Sequence, residues 1–325
     1  MPVHSDAVGR IEIQPEDLEQ HRRELTGYCY RMLGSFFEAE DAVQDTMVRA
    51  WRGSDGFEGR AALRSWLYRI ATNVCLDMLR GRERRARPMD LGPASTANAT
   101  LGPVHPEHTW IEPIPDAGVL PSDGDPADLA VSRETVRLAF VTALQHLPPR
   151  QRAVLILRDV LRWQASEVAQ LLESSVASVN SALQRARATI AGCDLDSSPE
   201  VATEQRDLLA QYVDAFERYD IARLVTLLHD DAVMSMPPYD LWLRGPIEMG
   251  RWFLGTGKGC HGSRLVPTAA NGCAAFGAYR PDGNGGFQPF AIQVIETSGD
   301  RIVGHHNFLG PELFAAFGLP ARLEP

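Results

Sequence analysis

Residues 147–187 read LPPRQRAVLILRDVLRWQASEVAQLLESSVASVNSALQRAR, and the organisation of the chain follows from them. The spacing predicts a helix opening at Leu147 to Arg150 and running to about Leu161, then a short helix from Ser166 to Leu172. Glu173 and Ser174 supply a turn, and Ser175 is an N-cap for a longer helix to Ile190. In that last helix Val179, Ala182, Leu183, Ala186 and Ile190 fall on one side. The other side carries Asn180, Ser181, Gln184, Arg185 and Arg187. Amides, hydroxyls and guanidinium groups hydrogen-bond base edges and phosphates, and the second helix of a helix-turn-helix is the element that enters a major groove. A packed bundle with a polar surface is the alternative that spacing alone leaves open.

Upstream, residues 16–87 read as helices broken at Gly34 and again between Gly53 and Gly59. On a wheel of residues 60–80, Leu63, Leu67, Ile70, Ala71, Val74 and Met78 form a core face. Trp66, Arg69, Asn73, Leu76 and Arg80 make a second stripe, followed by Arg82, Arg84, Arg85 and Arg87. An aromatic ring set among Arg and an amide suits unstacked bases, because a ring offers a stacking platform and Arg holds phosphates. A core Trp beside a solvated Arg run is the competing reading. The helix from Ala39 to Trp51 is expected to bury Val43, Met47 and Trp51, leaving Asp41, Gln44, Asp45 and Val48 outward. Like charges four residues apart cost a few tenths of a kcal/mol, which a basic partner would offset, as would an Asp45 to Arg49 pair.

The net charge of −10 argues against nucleic-acid contact until it is divided along the chain. Residues 60–87 hold eight Arg against Asp77 and Glu83, and residues 133–192 hold eight Arg against four acids. Residues 91–130 hold six acids, seven Pro and four Gly with no Arg or Lys, which is linker composition. A relaxed chain of that length spans about 35 Å. Residues 193–325 hold seventeen acids against ten bases, so the acidity lies in the linker and the tail. No apolar run is long enough to span a membrane, and Asp6, Glu12, Glu16 and Asp17 do not fit a signal peptide, so a cytoplasmic location is expected. Cys29, Cys75, Cys193, Cys260 and Cys273 are scattered, which indicates neither a disulfide framework nor a zinc site.

From Thr203 the pattern changes. Leu208, Leu209, Tyr212, Val213 and Phe216 make an amphipathic helix, Ile221 to Leu228 a second, and Pro246 opens a third ending near Leu254. Apolar segments at 273–279, 290–295 and 302–308, with a hairpin turn at Ser298 to Asp300, give an α+β domain. His229, Asp230, Asp231, His305 and His306 are candidate acids or bases by type only. Adjacent His305 and His306 on a strand face opposite ways and cannot share a metal there, so satisfied or exposed histidines are the favoured reading.

The segments GYCYRMLGS (27–35), AEDAVQDTMVRAW (39–51) and SWLYRIATNVCLDMLR (65–80) resemble region 2 of the extracytoplasmic-function sigma factors of the sigma-70 family, and 147–187 resembles their region 4. FERYDIARLVTLLHDDAVMSMPP (216–238) and WLRG (242–245) resemble SnoaL-like domains of the nuclear-transport-factor-like superfamily. The resemblance implies a multidomain protein: two all-α sigma domains, a region 2 helical bundle and a region 4 helix-turn-helix, plus an α+β cone-shaped SnoaL-like domain. The expected boundaries are 1–90 for region 2, 91–130 for an acidic linker, 131–192 for region 4 and 203–325 for the third domain.

By the same resemblance, core RNA polymerase and promoter DNA are the partners. Asp41, Gln44, Asp45 and Arg49 would contact the polymerase clamp. Trp66, Arg69, Asn73 and Arg80 would meet the melted minus-ten element, and Ser178, Ser181, Gln184, Arg185 and Arg187 the minus-thirty-five element. Trp163, Gln164 and Ala165 depart from the usual approach to the helix-turn-helix. Trp242, Arg244 and Trp252 are candidates to line a pocket in the third domain for a small ligand of unspecified class, although filling the interior is the commoner use of such residues. No catalytic residue, cofactor or metal is expected, and the third domain would act in cis by docking on the sigma domains or the linker. The alternative is a cyclase, isomerase or hydrolase enzyme with a DNA-targeting N-terminal half.

Overall fold

The computed structural model describes residues 13–54, 57, 62–121, 125–192 and 202–325; Asp6, Glu12 and Cys193 lie outside them. The chain forms two compact units, Met1–Arg84 with Ala117–Leu195 and Arg85–Asp116 with Asp196–Pro325. Residues 85–116, tether-like in composition, are therefore part of the second unit.

The first unit is helical: α1 (Pro15–Glu19), α2 (Arg22–Leu33), α3 (Phe36–Gly53) and α4 (Leu63–Met78), then α6 to α10, with α5 (Pro88–Leu91) belonging to the second unit. Gly34 stops α2 by taking a left-handed conformation (φ 74°), and the Ser35 hydroxyl caps α3 by accepting from the Glu38 amide at 3.2 Å. Helix α3 buries Ala39, Ala42, Val43, Thr46, Met47 and Ala50. Trp51, expected inside, is 52% exposed, because Thr46 and Ala50 centre the buried arc and leave position 51 at its edge. Helix α4 buries Leu67, Ala71 and Val74 as its pattern predicts, with Tyr68, Thr72 and Cys75 beside them. The Tyr28 and Thr72 hydroxyls meet at 2.7 Å between α2 and α4.

Helices α6 (Pro126–Glu134), α7 (Leu138–Gln145), α8 (Pro149–Leu155), α9 (Ala165–Leu171) and α10 (Val176–Ile190) complete the unit, α8 running on through a wider π turn over Ile156–Val160. Two buried guanidinium groups join these helices to α2. Arg31 donates to the Thr135 carbonyl at 3.0 Å, the Thr135 hydroxyl at 2.8 Å and the Gly27 carbonyl at 2.8 Å. Arg152 donates to the Met32 carbonyl at the end of α2, to Gln145 Oε1 at 2.6 Å and to the carbonyls of Gln145 and Leu147 at 3.2 Å. A cation against the carbonyl end of α2 also meets the negative pole of its dipole.

In the second unit α11 (Ala202–Glu217), α12 (Ile221–Thr226) and α13 (Pro246–Leu254) pack on a sheet in the order β2-β1-β6-β5-β4-β3. Its strands are β1 (Leu228–Ser235), β2 (Trp242–Arg244), β3 (Arg264–Ala270), β4 (Cys273–Pro281), β5 (Phe287–Ser298) and β6 (Arg301–Leu309), all antiparallel to their neighbours except β1 against β6. Partners in register share a face, so Met234, Leu243, Ile295 and His305 point toward the helices, whereas Ser235, Trp242, Glu296 and His306 point away. The core joins Tyr212 and Phe216 of α11, Met249, Trp252 and Phe253 of α13, and Phe276 and Ile295 of the sheet.

His305 is buried and hydrogen-bonded to the Tyr212 hydroxyl at 3.0 Å, which also donates to Gln293 at 2.7 Å. Burial, with a smaller contribution from His306, pushes the His305 pKa down to about 3, so the folded ring stays neutral. The unfolded ring takes a proton near its ordinary value of about 6.5, so the unfolded state binds more protons below that pH. Stability of the second unit should fall as pH drops from about 6.5 toward 3. Comparing urea unfolding at pH 7 and pH 5 for wild type and His305→Asn checks this, the substitution being expected to remove about one proton of uptake.

Candidate nucleic-acid and polymerase interface

The α4 stripe survives folding as a surface. Arg69, Asn73 and Arg80 are exposed, and Trp66 is half-buried with its ring 5.0 Å from that of Phe57. A Cβ on Gly53 would stand 3.3 Å from the Trp66 ring, so the end of α3 supports one side of the indole and leaves the rest available. Arg80 pairs with Asp77 at 2.8 Å, but both are well exposed and the pair is worth little. The stripe can therefore present a ring, an amide and cations to an opened strand.

On α3, Asp41, Gln44 and Arg49 are exposed and Asp45 half-buried. Arg49 holds Asp45 at 2.7 Å, which offsets the repulsion between the two aspartates.

The helix-turn-helix is α9 and α10. Gln164 caps α9, its main-chain N–H donating to Glu167 Oε2 at 2.7 Å. Ser175 caps α10, its hydroxyl accepting from the Ser178 amide at 3.1 Å, and Glu173 in the turn takes a left-handed φ of 49°. Ser178, Ser181, Gln184, Arg185 and Arg187 are all exposed, opposite buried Val179, Leu183 and Ala186. Arg187 is engaged by Asp159 through two bonds of 2.7 and 2.8 Å, so its guanidinium is held away from free rotation.

Trp163 accounts for the unusual approach to α9. It is buried with its ring 5.1 Å from that of Tyr68, and the Arg64 guanidinium lies 5.4 Å from the Trp163 ring and 5.1 Å from the Tyr68 ring. Periodicity within either segment gives no sign of this long-range contact. Arg31 and Arg152 were missed for the same reason, since the partners that tie them to another helix, Thr135 and Met32, lie over a hundred residues away.

The candidate pocket residues do not gather. Trp242 is buried on the sheet face away from the helices, its indole donating to the Gly92 carbonyl at 2.9 Å. Arg244 is exposed and stacks over Trp242 at 5.5 Å, while Trp252 sits in the core under the helices. Alternation along β2 puts the first two on the opposite side of the sheet from the third, so the three cannot line one cavity. His305 and His306 do face opposite ways, His306 accepting or donating at 2.8 Å to the Ser235 hydroxyl and lying 3.3 Å from Glu296. His229, Asp230 and Asp231 are outside this cluster, at the exposed start of β1.

Two helical modules, one with an amphipathic ring-and-cation stripe and one a helix-turn-helix, followed by a sheet-containing domain, define a multidomain transcription factor. Residues 18–85 match Sigma-70 region 2 and residues 137–190 match Sigma-70, region 4. The chain is 44% identical over 316 residues to the ECF RNA polymerase sigma factor SigG of Mycobacterium tuberculosis strain H37Rv, covering 94% of this chain and 83% of that one. It is 25% identical over 323 residues to SigJ of the same organism, covering 95% and 96%, and 31% identical over 159 residues to SigW of Bacillus subtilis, covering 49% and 76%. The crystal structure of SigJ matches with a TM-score of 0.61 at 22% identity, over 94% of this chain and all of that one, which shows a shared fold. The chain belongs to the extracytoplasmic-function RNA polymerase sigma factors. It is a promoter-directing subunit that works with core RNA polymerase, and the enzyme alternative is not favoured.

Arg152→Ala should lower the stability of the first unit by about 1.5–3 kcal/mol, since charged hydrogen bonds are lost and carbonyls stay buried. Thermal unfolding and limited proteolysis between α7 and α8 would register it. Asp159→Ala should free Arg187 and strengthen binding to duplex containing the minus-thirty-five element, with a steeper salt dependence in titrations.

Proposed function

We propose that this sigma factor is held closed when free and opens on the polymerase, and that the second unit modulates it in cis by gripping the linker. In this reading Asp41, Gln44, Asp45 and Arg49 meet the polymerase clamp. Trp66, Arg69, Asn73 and Arg80 hold the non-template strand of the melted minus-ten element, and Ser178, Ser181, Gln184, Arg185 and Arg187 hold the minus-thirty-five duplex. The assignments are supported by the exposure of these groups, with Asp45 and Trp66 half-buried. Among the described residues no helix is long and apolar enough to cross a membrane, and a cytoplasmic site of action fits the function.

One observation carries the cis control: residues 85–116 are bonded to both edges of the sheet. At the β2 edge the Ser95 amide donates to the Trp242 carbonyl at 2.7 Å, and the Ala97 amide to Glu248 at 2.7 Å. At the β3 end Pro115 bridges Ala270, Ile114 exchanges bonds with Asn271 at 3.1 Å, and the Gly272 amide donates to Asp116 at 2.8 Å. Ala97 is buried in the domain core. The strap also closes on itself, since Ala86 bridges Trp110 and Arg85 donates to the Glu107 and Trp110 carbonyls with Glu112 at 3.7 Å.

A linker closed into a loop contributes little reach. The minus-ten and minus-thirty-five elements lie about 85 Å apart at about 3.4 Å per base pair, whereas a folded body the size of the first unit is about 40 Å across. Promoter engagement therefore requires the contacts made by Arg31, Arg152 and Trp163 to separate, and a captured strap opposes that.

Substituting Glu248→Ala with Asn271→Gly removes two anchors of the strap while keeping a residue that tolerates the left-handed φ of 54° at position 271. Run-off transcription with core polymerase on a cognate promoter should rise several-fold over wild type. Unchanged or reduced transcription by a folded double variant would contradict control through the strap.

A further inference from the structure

The chain enters the helix-turn-helix through irregular backbone. Over Ile156–Val160 the end of α8 widens to a π turn, and the Leu161 N–H donates to the Ile156 carbonyl at 2.9 Å. Arg162 then takes a left-handed φ of 58°, a strained conformation for an L side chain and one that glycine usually supplies at a helix end. Trp163 follows, its main-chain N–H donating to the Leu157 carbonyl at 2.9 Å and its carbonyl accepting from Arg158. Trp163 Nε1 and Arg158 Nε are buried with no hydrogen-bond partner among the described residues. A wide turn, a strained residue and two unsatisfied donors in one short segment persist only where surrounding contacts over-determine them. The contact that does so is the seat of the indole on α4, with its ring 5.1 Å from that of Tyr68 and 5.4 Å from the Arg64 guanidinium, which Glu24 holds at 2.8 Å.

The same π turn carries Asp159, which grips Arg187 of α10 through bonds of 2.7 and 2.8 Å. We propose that Trp163 is a positioning residue for promoter reading: seated on α4 it keeps the π turn formed and Arg187 bound to Asp159, and unseated it lets the turn relax and frees Arg187 for the minus-thirty-five duplex. A π turn holds one residue more than an α turn. On return to i→i−4 bonding, Asp159 moves by about one residue's rotation, about 100°, and leaves Arg187. The Asp159 and Arg187 side chains are 30% and 61% exposed, so the pair contributes little by itself and lasts only while the backbone keeps its geometry. This inference rests on the reading in which the helical modules part on the polymerase and Arg187 meets the minus-thirty-five element, and it adds that the first event drives the second.

The test is a double-mutant cycle in the full-length chain. Wild type, Trp163→Ala, Arg64→Met, Asp159→Ala, the pair Trp163→Ala with Asp159→Ala, and the pair Asp159→Ala with Arg187→Ala are titrated with a fluorescent duplex containing the minus-thirty-five element at several salt concentrations. Thermal unfolding of each is measured alongside, and solvent exchange of the Arg187 Nε–H is followed by NMR without DNA. Trp163→Ala should tighten duplex binding about three- to tenfold and steepen the salt dependence by about one ion. Arg64→Met, which leaves α9 and α10 untouched, should shift affinity in the same direction, and in both variants the Arg187 Nε–H should exchange faster than in wild type. With Asp159 already replaced, Trp163→Ala should change nothing further, a result that a merely structural role would not give. Unchanged affinity and exchange in folded Trp163→Ala and Arg64→Met overturns the proposal. An equal gain from Trp163→Ala with and without Asp159 also overturns it, since the indole would then act by another route. Should Trp163→Ala fail to fold, Arg64→Met decides by the same outcomes. If Asp159→Ala with Arg187→Ala binds duplex as tightly as Asp159→Ala alone, Arg187 does not meet DNA; the underlying reading of that residue then falls, and the exchange rate decides the coupling.

Discussion

Two guanidinium groups, those of Arg31 and Arg152, are buried among carbonyl oxygens with no carboxylate beside them among the described residues, and the packing of the first unit depends on them. Burial pushes both down to about 10, so each remains charged at neutral pH and must be satisfied where it lies. Taking a cation out of water costs several kcal/mol, and only several well-aimed acceptors offset it. Those acceptors are divided between helices: Gly27 and Met32 on α2, Thr135, Gln145 and Leu147 on the α6 to α8 side. The set leaves Arg152 Nε buried without a hydrogen-bond partner among the described residues, and each arginine can reach water if the helices part, so the packing is firm without being permanent. A hydrophobic seam of equal area would lack that property.

The second unit works by a different kind of contact. A sheet with open edges offers unpaired amides and carbonyls, and the strap from residue 92 to 116 occupies parts of both edges, at β2 and at the β3–β4 turn. Its anchors are main-chain bonds, the Glu248 and Asp116 carboxylates, the Trp242 indole and the Asn271 side chain. The strap is Pro-rich and gains little from secondary structure of its own, so its order is borrowed from the domain. Acidic, Pro-rich composition and folded placement are compatible because the domain supplies the partners that the strap cannot supply itself.

Local pattern made most of the helical architecture legible. The caps at Ser175 and Gly34, the α4 core face and the two faces of α10 all follow from spacing within one element, and the exposed residues of the candidate DNA surfaces follow from the same wheels. Trp51 was misplaced because a wheel cannot tell the edge of a buried arc from its centre. Strands β1, β2 and β3 were not evident, since β1 begins with the exposed polar run His229 to Asp231, β2 has three residues and β3 is interrupted by Pro267. Long-range partners were beyond reach: nothing near Trp163 points to Tyr68, and nothing in a linker-like composition points to Trp242 or Asn271. For Trp242, Arg244 and Trp252, residue type suggested a common cavity, and strand alternation set them on two sides of a sheet.

In the proposed mechanism the two helical modules are packed together in the free chain and part when the promoter is engaged. Energy transfer between dyes at Glu83 and Gln170, both exposed, measures this directly. Transfer should be high in the free protein and fall steeply in the complex with core polymerase and promoter DNA, where the modules lie on elements about 85 Å apart. Equal transfer in the free chain and in a transcribing complex would contradict the account.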